Sequence, residues 1–217
     1  MRQNQEPLTP FLLACFALAP QARATCQEGC LTNNNTVLGD DALLNTTGTD
    51  NTAIGYQALH NNTTGFNNTA TGAGALFLNT TGVNNTATGI GVLDNNTTGS
   101  LNTGEGATAL FSNTTGFYNT ATGVDTLRNS TTGNYNTATG QGALYSNTTG
   151  SSNTANGQNA LRSNTTGSGN IALGHGAGAN LTIGDYNIDL GNRGLRVSLK
   201  QFASAYRRYT ARHISLA

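Results

Sequence analysis

Glycine recurs every 17 residues, at Gly48, Gly65, Gly82, Gly99, Gly116, Gly133, Gly150, Gly167 and Gly184, and this period constrains the chain more than any other feature. A second glycine series from Gly55 to Gly191 keeps step seven residues later, and asparagine repeats as strictly from Asn51 to Asn187. The common unit is N-T-A-T-G-x-x-A-L-x-x-N-T-T-G-x-x, whose positions are called stations 1 to 17 below. An earlier copy starting at Asn35 is one residue shorter, so the array spans about residues 33–192. Such a unit is too short for two packed helices, and its β-branched threonines favour extended chain. A fixed period of this size predicts rungs that bury their apolar side only by stacking on one another.

Composition points the same way. Thr (36), Asn (30) and Gly (28) fill 94 of 217 positions, only 9% of residues are charged and there is no Trp. Small polar side chains bury too little apolar area to build an ordinary globular core, which excludes a conventional single-domain enzyme. With only three prolines and little charge, the chain also lacks the usual composition of a disordered one.

The expected fold is all-β: a parallel β-roll or β-helix of 17-residue rungs stacked about 4.8 Å apart. Each rung would hold a short strand on N-T-A-T, a glycine turn, a second strand centred on A-L and an N-T-T-G turn. The turn glycines Gly48, Gly65, Gly82, Gly99, Gly116, Gly133, Gly150 and Gly167 are expected to supply positive φ. Leu59, Leu76, Leu93, Leu110, Leu127, Leu144 and Leu161 form the expected apolar core ladder. Stations 2 and 4 share one face of the first strand and station 3 has the other. Stations 2 and 4 become Ile and Leu near the ends, while station 3 becomes Asp189 in the last rung, so the Thr pair is expected inward and station 3 outward.

The ends carry other signals. Residues 1–24 read as a secretory signal peptide, with Arg2, an apolar run Phe11–Ala19 and a cleavage site at Ala22-Arg23-Ala24. Residues 25–32 form an N-terminal cap in which Cys26 and Cys30 suit a local disulfide in an oxidising compartment. Between Thr25 and Asn192 nine acids face two bases, whereas residues 193–217 hold six bases and no acid. The acidic balance argues against nucleic-acid binding by the array. Leu195, Leu199, Phe202, Tyr206 and Tyr209 have helical spacing, so residues 195–212 are expected to form an amphipathic basic helix.

No constellation for catalysis appears. His60, His175 and His213 share no station, and the acids are scattered, so neither a metal centre nor a triad is expected. Gly174-His175-Gly176-Ala177-Gly178 lacks the lysine and helix of a phosphate loop. Catalytic residues, metal ligands and cofactors are therefore all expected to be none. Asn45, Asn62, Asn79, Asn96, Asn113, Asn129, Asn147 and Asn164 each open an Asn-x-Thr sequon, and the reading preferred is turn formers whose amides stack in a ladder rather than a glycan stripe.

Asn51-Thr52-Ala53-Ile54-Gly55 and Asn170-Ile171-Ala172-Leu173-Gly174 resemble the head repeats of bacterial trimeric autotransporter (YadA-like) adhesins. The unit also resembles the N-T-A-T-G-x-x-A-L repeats of tail-fibre-type surface proteins. The resemblance implies a trimeric, left-handed β-roll at a bacterial cell surface, with other copies of itself as partners and an environmental or host surface as ligand. The expected function is that of a secreted, non-catalytic structural or adhesin-like protein. Two alternatives stand beside it: an ice- or polysaccharide-binding solenoid, and a truncated fragment of a larger adhesin or fibre. For the last, residues 197–205 are what codons for the usual continuing segment encode when read one base out of phase.

Overall fold

A computed structural model describes residues 33–44, 46–191 and 195–198. The expected signal peptide, Cys26 and Cys30, Asn45 and the end of the tail lie outside them. The chain is a parallel β-solenoid. Ten short strands pair each with the next: β1 (Thr36–Leu38), β2 (Thr52–Ile54), β3 (Thr69–Thr71), β4 (Thr86–Thr88), β5 (Thr103–Glu105), β6 (Thr120–Thr122), β7 (Thr137–Thr139), β8 (Thr154–Asn156), β9 (Ile171–Leu173) and β10 (Asn187–Leu190). The register advances by one repeat per rung, with Thr69 opposite Thr86 and Ala70 opposite Ala87. The short first copy is absorbed before β2, where Thr36 faces Thr52.

The face of the strand is the reverse of the expectation. Station 3 is inside: Ala53, Ala70, Ala87, Ala121, Ala138, Ala155 and Ala172 are buried, while the flanking threonines are exposed or half-exposed. The physical reason is station 1. Asn51, Asn68, Asn85, Asn102, Asn119, Asn136, Asn153 and Asn170 are fully buried, and alternation then carries station 3 inward and stations 2 and 4 outward. Asp189 does not mark the outer side: it is itself buried, with Oδ1 unpartnered.

The expected second strand is also absent among the described residues: Ala58-Leu59 and its counterparts lie in turns. A strand would send Ala and Leu to opposite faces, yet both are buried in rung after rung. The leucine backbone resolves this by entering the left-handed region, with φ between 47° and 54° from Leu43 to Leu161. That conformation costs a non-glycine residue roughly 1–2 kcal/mol. Burying a leucine side chain returns about 1.5–3 kcal/mol, so the packing outweighs the strain. Rung-to-rung backbone bonds persist here, as from Leu59 N to Ala75 O at 2.9 Å.

Glycine roles divide between the two series. Positive φ belongs to station 5, for example Gly72 at 133°, and not to Gly48 through Gly167. At those station-15 glycines a Cβ would land on the carbonyl oxygen of the glycine one rung on, as Gly82 on Gly99. They are required for close approach rather than for an unusual dihedral, which corrects the expected role.

The array ends in a second departure. Leu195–Ser198, the start of the expected helix, is a strand, β11, antiparallel to β10 with Leu190 opposite Leu195. An open sheet edge offers unpaired N–H and C=O groups, and an extended segment satisfies them where a helix cannot.

Candidate functional site

Two internal ladders of asparagine set the shape of every surface. In the entry ladder at station 1, Asn68 Nδ2 donates to Asn51 Oδ1 (3.2 Å) and to Gly82 O (2.8 Å), and the Asn68 backbone N–H donates to the same Asn51 Oδ1 (3.0 Å). In the turn ladder at station 12, Asn79 Nδ2 donates to Asn62 Oδ1 (2.8 Å) and to Gly82 O (3.0 Å). The carbonyls of Gly65, Gly82, Gly99, Gly116, Gly150 and Gly167 are thus each pinched between two amides, and a Cβ on the glycine would crowd them. The sequon asparagines Asn62, Asn79, Asn96, Asn113, Asn147 and Asn164 are these buried rungs, so the folded chain offers none of them to a glycan. Asn129 is half-buried because Asn129-Ser130 inverts the usual order, leaving Ser130 in the ladder.

With the amides inside, the sheet turns its hydroxyls out. Station 2 is threonine in eight consecutive rungs from Thr36 to Thr154. Station 4 is mixed: Thr71, Thr88, Thr122 and Thr139 are interrupted by Glu105 and Asn156. Toward both ends the outward pairs become apolar, and Leu38, Ile171, Leu173 and Leu190 are exposed. Glu105 is the one charge at stations 2 and 4.

Two rows flank the sheet. After the strand, station 6 exposes Tyr56, Ile90 and Val124. Before it, station 17 exposes Leu101, Tyr118, Tyr135 and Tyr186. Tyr118 and Tyr135 stack with centroids 5.2 Å apart and planes 7° apart, and Phe117 meets Tyr135 edge-on at 5.3 Å. At the far corner, station 10 forms a third row: His60 stacks on Phe77 (5.3 Å), Arg128 lies over Phe111 (5.5 Å) and Arg162 over Tyr145 (5.3 Å). The variable side chains that follow the A-L pair are therefore spent largely on one another.

Among the described residues the titratable groups lie apart along the array. Arg128 Nε pairs with Asp125 Oδ1 at 3.2 Å, and Asp125 Oδ1 also accepts from the Thr108 hydroxyl (2.7 Å). Partial burial pushes the Asp94 carboxyl above the usual carboxylate range. His60 Nδ1 lies 2.9 Å from Asp41 O, while His175 is exposed on the opposite flank of the sheet, at station 6. Among the described residues no group of three His, Cys, Asp or Glu side chains could hold a metal ion. The arrangement offers repeated hydroxyl, aliphatic and aromatic contacts.

The outward threonines were hidden from sequence reasoning because Thr and Ile fit either face. The strict asparagine at station 1 was the usable signal, since a buried amide ladder fixes the parity of the whole strand. Comparison of the chain with protein-family models, with curated proteins and with solved structures found no match.

Proposed function

We propose that this chain is a non-catalytic, secreted attachment protein at a cell surface, whose sheet face packs against further copies of itself while its corners meet the ligand. The observation that carries the reading is the outward face itself: small hydroxyls in the middle, with exposed Leu38, Ile171, Leu173 and Leu190 toward its ends and one charge, Glu105. Exposed apolar side chains on a regular face favour association between copies, and identical rungs meet in register without further specification. The resemblance to YadA-like heads favours three copies. Light scattering on the mature protein tests this, and a mass of three chains is expected. A clean monomer that still adheres to cells would retain attachment and remove the trimer.

The outward threonine ranks favour a second reading, ice binding, because methyl and hydroxyl groups then repeat at about 4.8 Å along a solvent-facing sheet. It requires a monomer that produces thermal hysteresis. Absence of hysteresis at millimolar concentration would exclude it.

A further inference from the structure

Station 17 breaks its own pattern in one place. Side chains project from Asp50, Asn67, Asn84, Leu101, Tyr118 and Tyr135, then Ser152 is small and Gly169 has no side chain, and Tyr186 follows. A Cβ at Gly169 would meet Tyr186 Cδ1 at 2.7 Å, so the glycine seats the Tyr186 ring, which leans one rung back along the solenoid. Tyr135 stacks on Tyr118 with ring centroids 5.2 Å apart, close to one rung's separation, and planes 7° apart. One face of Tyr135 is taken by Tyr118, and the other looks toward the exposed Ser152. Tyr135 and Tyr186 remain 55% and 60% exposed. The result is a notch with an aromatic face on one side, a second aromatic ring on the other and a hydroxyl floor between them.

We propose that Tyr135, Ser152 and Tyr186 form a subsite for one neutral pyranose residue of a surface glycan. The proposal rests on the attachment reading and names its ligand class. A pyranose presents a patch of C–H groups on one face and hydroxyls around its rim. The free Tyr135 face takes the C–H patch, while the Ser152 hydroxyl and the Tyr186 phenol address the rim. Contact on each side needs about 3.5–4.0 Å, and two rung heights of about 10 Å leave room for a sugar ring above Ser152. Charge argues against an acidic sugar: the carboxylate of Asp185, the residue before Tyr186, accepts from the Ser168 backbone N–H at 2.8 Å and still repels an anion.

The test is saturation-transfer NMR and affinity titration of the intact protein with methyl glucoside, methyl galactoside, methyl mannoside and N-acetylglucosamine oligomers. At least one of these sugars should receive saturation from the Tyr135 ring. Tyr135→Ala and Tyr186→Ala should each weaken it about tenfold. Ser152→Leu fills the notch with a residue that the same station accepts at Leu101, whose φ of 61° matches the 58° of Ser152, and it should abolish binding without unfolding the chain. Tyr56→Ala, on the opposite flank, should leave affinity within about twofold. Failure of the whole panel to bind, or equal losses in Tyr56→Ala and Tyr135→Ala, would overturn the subsite. Undiminished cell adhesion by Ser152→Leu would sink the subsite and leave attachment standing. A wild-type chain that adheres to no surface would sink attachment, with the titration still deciding the subsite.

Discussion

The two asparagine ladders run side by side through the same interior, yet one is continuous and the other is broken. The entry ladder passes from Asn35 to Asn187, each amide oxygen accepting from the next rung. The turn ladder loses its amide at Ser130: Asn113 Oδ1 has no partner, and Asn147 Nδ2, which donates to Gly150 O at 3.0 Å, meets the preceding rung only at Ser130 Oγ, 3.5 Å away. Register is nevertheless kept across the break, with Thr120 opposite Thr137. The entry ladder therefore sets the register, because its amides tie backbone N–H, side chain and glycine carbonyl together. The turn ladder adds stability without specifying the fold.

That contrast can be broken most severely at its centre. Asn119→Ala removes an acceptor for both Asn136 N–H groups and a donor for Asn102 Oδ1 and Gly133 O, all in the buried interior. At about 1–3 kcal/mol per orphaned group, a loss of about 4 kcal/mol is expected. Denaturant unfolding followed by circular dichroism should also split into two transitions as the stack is cut. A single transition with an unchanged midpoint would show that the entry ladder does not govern register.

A steric test comes next. Station 8 holds the larger Val92 where most rungs carry Ala, and the facing station 3 of the next rung is Gly104 instead of Ala. A Cβ at Gly104 would lie 2.5 Å from Val92 Cγ1. Gly104→Ala should cost about 1–3 kcal/mol in the same assay, and the double change with Val92→Ala should recover most of it. Additive losses would show that the two stations do not compensate.

Repair of the broken ladder should have a smaller effect of opposite sign. Exchanging Asn129 and Ser130 restores the order seen at Ser112-Asn113, gives Asn113 Oδ1 a donor and gives Gly133 O a second one beside Asn119 Nδ2. The midpoint should rise by the equivalent of about 1 kcal/mol. A fall would mean that the turn at this rung rejects asparagine.

The smallest expected effect is electrostatic and lies outside both ladders. Burial raises the Asp94 carboxyl, so between its unfolded and folded pKa values the folded state holds more protons than the unfolded one. Stability is then greatest below the unfolded pKa and declines as pH climbs through the folded one. Asp94→Asn should flatten that part of the stability–pH profile, and a profile identical to wild type would remove the role.

Much of this architecture is legible in the residues. Period, rung length, parallel order, the short first copy and the leucine ladder all follow from a unit that has no other way to bury Leu59 or Leu76. What the residues leave open is parity. A strand assigns stations 1 and 3 to one face and 2 and 4 to the other, but Ala and Thr are small enough for either, and Asp189 pointed the wrong way. The choice falls to two nonlocal facts: a buried amide at station 1 is satisfied only by its neighbours one rung away, and Leu accepts a left-handed backbone only when the interior repays it. Neither operates within a single repeat. The notch at Ser152 has the same origin, since Tyr135, Ser152, Gly169 and Tyr186 lie 17 residues apart and become neighbours only when the rungs are stacked.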